Sequence, residues 1–157
     1  MNFPAILNIL GHVIKYELLL LLIPFAVALF YGQGDASAFL YTILIMLPIS
    51  IILTRVKGKK KEIYAKEGFL TVGLAWIVIS FFGALPFVFN GAIPSFIDAF
   101  FETSSGFTTT GASILTEIQS LPKGILFWRS FTHWVGGMGF LIFILALMPS
   151  FGGNTIH

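Results

Sequence analysis

The chain has 157 residues, of which 57% are hydrophobic and 10% are charged, with a mean hydropathy of +0.94. Soluble domains carry about 25% charged residues, so the composition predicts an integral membrane protein. The chain contains no cysteine, which excludes disulfides, thiolate metal sites and cysteine nucleophiles. Six of the nine Lys and Arg lie between Arg55 and Lys66. Because this basic loop is tied between apolar segments, nucleic acid is a poor candidate as a partner.

The first domain is predicted over residues 1–54 as an antiparallel hairpin of two membrane helices. The spans, 13–31 and 37–54, are joined by a polar turn too short for any other arrangement. Residues 1–17 are weakly amphipathic and predict an interfacial segment that leads into the first span. Its polar side chains are expected at the membrane interface: His12, Lys15 and Glu17.

A basic loop, residues 55–67, follows the hairpin. Positively charged loops favour the cytoplasmic side of a membrane, so this loop, the N-terminus and the end segment 151–157 are all predicted in the cytoplasm. The loop is interpreted as a topological anchor. Contact with anionic lipid or a cytoplasmic partner is the alternative.

One pore repeat is predicted over residues 68–150. Its outer helix, 68–89, and its inner helix, 122–149, are long enough to span a bilayer. Between them, the apolar helix predicted at 95–105 is only half the required length. Ser95 and Asp98 resemble a capping box at its start, and Gly106 is expected to end it.

Residues 107–112, with the sequence FTTTGA, are neither a good helix nor an ordinary strand. The C-terminal end of a short helix carries about half a negative charge and favours a cation. An extended Thr-Thr-Thr-Gly backbone can direct carbonyl oxygens to a dehydrated ion. The pattern therefore predicts a pore helix with an ion filter, and the alternative is a Thr- and Gly-rich surface loop.

Arg129 lies within the predicted inner helix, where an unpaired charge is expensive. We expect it to pair with Glu102 or, as second candidate, Asp98, and so to brace the pore helix against the inner helix. Close helix approach is expected at Gly73 and Gly83. The run 136–139 is compatible with a hinge, a packing notch or room for a gate.

No catalytic motif is evident, and the three histidines are too scattered for a metal site. The chain is therefore predicted to be a transporter component rather than an enzyme, and to need no cofactor. Two alternatives remain open. One is a non-conducting membrane scaffold or assembly subunit, and the other is a membrane enzyme whose catalytic part lies elsewhere.

Five motifs together resemble the Trk-type potassium uptake membrane subunits, of the TrkH-like branch in the Trk/Ktr/HKT superfamily. The resemblance extends over essentially the whole chain. The matching motifs are KEGFL at 66–70, GALPF at 83–87, DAFFE at 98–102, SGFTTTGA at 105–112 and WVGGMG at 134–139.

The resemblance implies an all-α polytopic protein of the inner or plasma membrane, in which four helix–pore helix–helix repeats surround one K⁺ pathway. It also implies a homodimer that works with a cytoplasmic nucleotide-binding regulatory subunit. By analogy, the first repeat's share of the K⁺ filter is Thr108, Thr109, Thr110 and Gly111, with Thr109 and Thr110 the strongest candidates. Because only one repeat is present, the chain is expected to be an N-terminal portion or to require other chains.

Overall fold

The computed structural model describes residues 2–57 and 63–151, apart from the side chains of Phe140 and of residues 143–151. Residues 58–62 of the predicted basic loop and 152–157 of the predicted cytoplasmic end lie outside the described residues. Within the described part, the secondary structure consists of five helices. They are α1 Phe3–Tyr31, α2 Ala36–Thr54, α3 Ala65–Asn90, α4 Phe96–Phe107 and α5 Lys123–Phe151.

The described helices α1, α2 and α3 are each long and apolar enough to cross a membrane. Helix α5 has 29 residues, which at about 1.5 Å per residue exceeds the thickness of a bilayer core. Helix α4 has only 12 residues and is too short to span. The predicted class, an all-α polytopic membrane protein, is therefore confirmed.

Helix α1 begins at Phe3, well before the predicted first span. The side chain of Asn2 accepts a hydrogen bond from the Ala5 N–H at 3.3 Å, and Pro4 lies in the first turn, where its missing N–H costs nothing. Most of the predicted interfacial segment, residues 1–17, therefore belongs to the same continuous helix as the predicted first span.

Helices α1 and α2 run antiparallel, with the start of α1 beside the end of α2. The Asn8 side-chain amide donates to the carbonyl oxygens of Thr54 at 2.8 Å and Val56 at 3.0 Å. The Ser50 hydroxyl donates to the Gly11 carbonyl at 3.3 Å. Asn8 thus bonds the carbonyl of the last residue of α2, which has no partner within the helix, and that of Val56 just beyond it.

The turn between α1 and α2 caps the start of α5. The Gln33 side-chain oxygen accepts from the Lys123 N–H at 2.7 Å, and Asp35 Oδ2 accepts from the Ile125 N–H at 3.2 Å. The first N–H groups of a helix lack intrahelical partners and attract negative charge. Asp35 is fully buried. The turn between α1 and α2 therefore holds the N-terminal end of α5 in place.

Helices α3, α4 and α5 meet around Trp128, which is fully buried. Its ring N–H donates to the Gly83 carbonyl of α3 at 2.9 Å. Its ring also meets that of Phe107, the last residue of α4, edge to face with centroids 6.1 Å apart. One side chain of α5 therefore joins both of the helices that frame the candidate site.

Candidate functional site

Helix α4 begins at Phe96 with Ser95 as its N-cap, but no side-chain hydrogen bond caps it. The predicted capping box of Ser95 and Asp98 is therefore wrong. An aspartate side chain is one methylene shorter than the glutamate of a regular capping box, which limits its reach back to the N-cap N–H. The negative charge of Asp98 still lies in the first turn, where the helix dipole favours it.

Helix α4 continues through Gly106 and ends at Phe107 in a Schellman motif. The Thr109 N–H donates to the Gly106 carbonyl at 3.0 Å, and the Thr110 N–H donates to the Ser105 carbonyl at 2.9 Å. Thr109 occupies the left-handed position of this motif with φ 56°. Glycine normally fills that position, and a β-branched residue there is strained. Strain of this kind concentrates at functional sites.

After the helix, residues 108–114 form an irregular segment whose side chains are exposed. Within the described part of the chain, the carbonyl oxygens of residues 108–111 accept no hydrogen bond. The next carbonyl, that of Ala112, accepts from the Ser105 hydroxyl at 2.6 Å. Gly111 has φ 82°, which a side chain would make unfavourable. Four consecutive carbonyls are thus left available.

Glu102 anchors the C-terminal part of the segment 108–114. Its carboxylate accepts from the Ser113 hydroxyl at 2.9 and 3.0 Å and from the Ile114 N–H at 2.9 Å. It also accepts from Arg129 Nε of α5 at 2.9 Å, so the predicted partner of Arg129 is confirmed as Glu102. The Glu102 side chain is 2% exposed, and charge-assisted bonds in such surroundings are strong.

Gly136 of α5 allows the end of α4 to pack closely against α5, because glycine has no side chain. A Cβ atom at Gly136 would collide with the carbonyl group of Phe107. Of the three interpretations of the run 136–139, the structure supports a packing notch at Gly136, whereas no described atom lies within 4 Å of the Cβ position of Gly139. Among the described residues, the predicted close approach is confirmed at Gly83, which touches Thr103, and is wrong for Gly73, whose Cβ position has no described neighbour within 4 Å.

The structure brings together Thr108, Thr109, Thr110 and Gly111 in one exposed segment, with the Glu102–Arg129 pair behind them. The Thr108 hydroxyl donates to the Ser104 carbonyl at 2.7 Å and lies 2.8 Å from the Thr110 hydroxyl. Side-chain oxygens of Thr108 and Thr110 therefore have partners, whereas the main-chain oxygens beside them have none among the described residues. In the same part of the chain, no three His, Cys, Asp or Glu cluster as a metal site.

Several supporting residues escaped the sequence analysis. Ser105, Ser113 and Trp128 are ordinary residues of a helix or loop until their partners are known. Glu17 was expected at the interface and is instead buried, 4% exposed, while His12 and Lys15 are exposed. A signal for Glu17 was available, because it continues the apolar helix face of three buried residues: Leu10, Ile14 and Leu21.

The fold and this geometry define a polytopic helical membrane protein in which a half-length helix leads into an anchored loop whose side chains are exposed. The chain matches the TrkH family model, described as a cation transport protein, over residues 36–157. The chain belongs to the TrkH family.

Similar proteins agree with this assignment. The chain is 42% identical over 154 residues to the Trk system potassium uptake protein TrkH of Escherichia coli K12, covering 97% of this chain and 32% of that protein. It is 34% identical over 156 residues to an uncharacterized cation transporter of Methanocaldococcus jannaschii, covering 99% and 32%. Both names describe transport proteins rather than enzymes, which agrees with the prediction.

The crystal structure of the potassium transporter TrkH from Vibrio parahaemolyticus matches this fold with a TM-score of 0.89 and 35% sequence identity. The match covers 100% of this chain and 34% of that one. The chain therefore spans about a third of the length of the relatives it matches.

Proposed function

We propose that this chain contributes one part of a K⁺ pathway, with the carbonyl oxygens of residues 108–111 as ion ligands. The observation that carries the proposal is the row of four carbonyls without donors among the described residues, next to an Ala112 carbonyl that is engaged. Such carbonyls can replace the hydration shell of a K⁺ ion. The relatives' names as potassium uptake proteins support K⁺ as the transported ion.

The roles of the neighbouring residues follow from their bonds. The α4 dipole directs its negative end toward the start of the loop. Glu102 and Ser105 hold the far side of the loop through Ile114, Ser113 and Ala112. Arg129 neutralises Glu102, so that this pair supports the loop without competing for the ion. Thr109 and Thr110 are the strongest candidate K⁺ ligands through their main-chain oxygens.

A single loop cannot surround an ion, because a K⁺ filter is built from four such loops. The exposed face of residues 108–114 is accordingly the surface on which further repeats of a longer protein, or other chains, complete the ring. We place the full-length protein in the inner membrane, with the N-terminus and the loop 55–67 in the cytoplasm. Its expected form is a homodimer with a cytoplasmic nucleotide-binding regulatory subunit.

Rubidium uptake tests the filter assignment in the full-length protein that carries this chain, expressed in a host deficient in K⁺ uptake. Gly111→Ser places a side chain at φ 82° and should reduce uptake at least about tenfold at equal membrane abundance, because the filter backbone is strained. The matched control is Gly73→Ser, because no described atom lies within 4 Å of the Cβ position of Gly73. It should leave uptake unchanged.

The same experiment separates transport from the scaffold alternative. A scaffold would assemble normally, and the complete transporter would then give equal uptake with and without the Gly111→Ser substitution. Equal uptake by both proteins would therefore refute the filter role of residues 108–111 and favour the scaffold.

A further inference from the structure

Glu17 is a buried acid in the middle of α1 that the proposed transport function does not use. Its side chain is 4% exposed, and neither carboxylate oxygen has a hydrogen-bond partner in the described part of the chain. Ionisable groups within membrane helices are rare and usually have a function. An ionised carboxylate without a donor or a cation is costly to bury.

Glu17 lies against α3 and α4, and α4 leads directly into the candidate filter. Glu17 Oε1 is 3.2 Å from the position that a Cβ atom on Gly83 would occupy. The same position lies 2.7 Å from the Thr103 methyl group and 3.0 Å from the Phe107 ring, both on α4. Side chains from α1 and α4 therefore both pack against Gly83 of α3, on the side where another residue would carry its Cβ atom. Phe107 is directly followed by the loop at Thr108.

The polar groups around Gly83 are bonded elsewhere. The Thr103 hydroxyl donates to the Ala99 carbonyl at 2.7 Å, which turns its methyl group toward Gly83. The Trp128 ring N–H donates to the Gly83 carbonyl. Neither donor is available to Glu17.

No described charged group offsets a charge on Glu17 either. On the elements packed against α1, Arg129 is paired with Glu102, and His133 Nδ1 lies 3.1 Å from the Arg129 carbonyl. Asp98 and Lys123 lie in the first turns of α4 and α5, and Glu67 accepts bonds at the start of α3. The other titratable side chains of α1 and α2 are exposed: His12, Lys15, Tyr16, Tyr31 and Tyr41.

We propose that Glu17 is a proton-binding site, whose neutral carboxylic acid permits the packing of α1, α3 and α4 on Gly83. Loss of the proton leaves a charge that requires water or a cation, and the described groups around Gly83 supply neither a free donor nor a positive charge. The contact then loosens behind Phe107, at the residue that precedes the filter loop. Transport consequently decreases as the pH rises.

Infrared spectroscopy of the purified full-length protein in lipid vesicles tests the proton site without requiring transport. At neutral pH, the carbonyl stretch of a protonated acid should be present and shift in heavy water. Glu17→Gln should remove it, and Asp35→Asn, which changes the other buried acid with an unpartnered oxygen, should retain it. If Glu17→Gln removes no protonated-acid signal, the proposal is overturned.

The effect on transport rests on the proposed function and is measured by rubidium uptake in the full-length protein. Uptake by the wild type should decrease several-fold from neutral to alkaline pH, whereas Glu17→Gln and Glu17→Leu should remove most of this decrease. His12→Gln, which changes an exposed titratable residue of the same helix, should behave as the wild type. Equal pH profiles for wild type and both Glu17 variants would contradict the coupling. Absence of uptake in every protein would count against the proposed function, while the infrared result still decides the proton site.

Discussion

The two faces of the segment 108–114 differ in how completely this chain provides hydrogen-bond partners and packing contacts for them. Behind the segment, Glu102, Ser105 and Gly136 provide an ion pair, hydrogen bonds and a close backbone contact. In front, the side chains of residues 108–114 are exposed and four carbonyls accept no hydrogen bond from the described residues. The difference indicates that one chain holds the loop in shape and that its front face is left for an ion and for neighbouring loops.

The largest expected effect comes from breaking the ion pair behind the loop. Arg129→Leu leaves Glu102 buried without its cation, which should destabilise the protein by about 3–5 kcal/mol. The measurement is membrane yield and thermal unfolding of the purified protein. Arg129→Leu combined with Glu102→Gln should recover part of the loss, because the uncompensated charge is removed. A normal yield with altered K⁺/Na⁺ preference would show that Arg129 acts on the ion rather than as a support.

A second way to disturb the rear face is to fill the packing notch. Gly136→Ala forces a methyl group against the Phe107 carbonyl, and overpacking of this kind typically costs about 1–3 kcal/mol. Gly139→Ala is the matched control, since no described atom lies within 4 Å of its Cβ position. Thermal unfolding should separate the two variants. Equal stability would mean that α4 and α5 do not pack as closely as described.

The cap between the hairpin and α5 should contribute less. Asp35→Ala removes the acceptor of the Ile125 N–H, and loss of a helix cap typically costs about 0.5–2 kcal/mol. Asp35→Asn keeps an oxygen in this position and should retain most of the stability. Both variants can be compared by thermal unfolding. If Asp35→Ala unfolds at the wild-type temperature, the hairpin does not hold α5 through this bond.

The smallest effect on stability is expected for Ser105→Ala. It removes one neutral hydrogen bond to the Ala112 carbonyl, worth about 0.5–1.5 kcal/mol. Its effect on transport should be larger, because the freed carbonyl lies directly after the four candidate ligands. Rubidium and sodium uptake in the full-length protein should show a weakened preference for the larger ion. An unchanged preference would remove Ser105 from the account of the filter.

The helices could largely be predicted from the sequence, because long apolar runs and polar turns are local signals. The half-length of α4 and the pair of Glu102 with Arg129 were also accessible, since a charge in a membrane helix demands a partner. The Schellman motif at Thr109 was not, because this residue type rarely adopts positive φ.

Sequence patterns could not predict the contacts between residues that are distant in the chain. The bonds from Gln33 and Asp35 to the start of α5 join residues 90 positions apart. The contact of Glu17 with Gly83 of α3 also joins helices that are distant in the sequence, although the apolar face of α1 already indicated that Glu17 is buried. In both cases a polar residue of an expected turn or interface lies against a helix that is distant in the sequence.

The most direct test is the position of a heavy alkali ion in the full-length protein. Anomalous diffraction from crystals grown with rubidium should place the ion beside the carbonyl oxygens of residues 108–111, at the front face of the loop, and Gly111→Ser should weaken that peak. A rubidium peak elsewhere in the pathway, with none beside residues 108–111, would contradict the account.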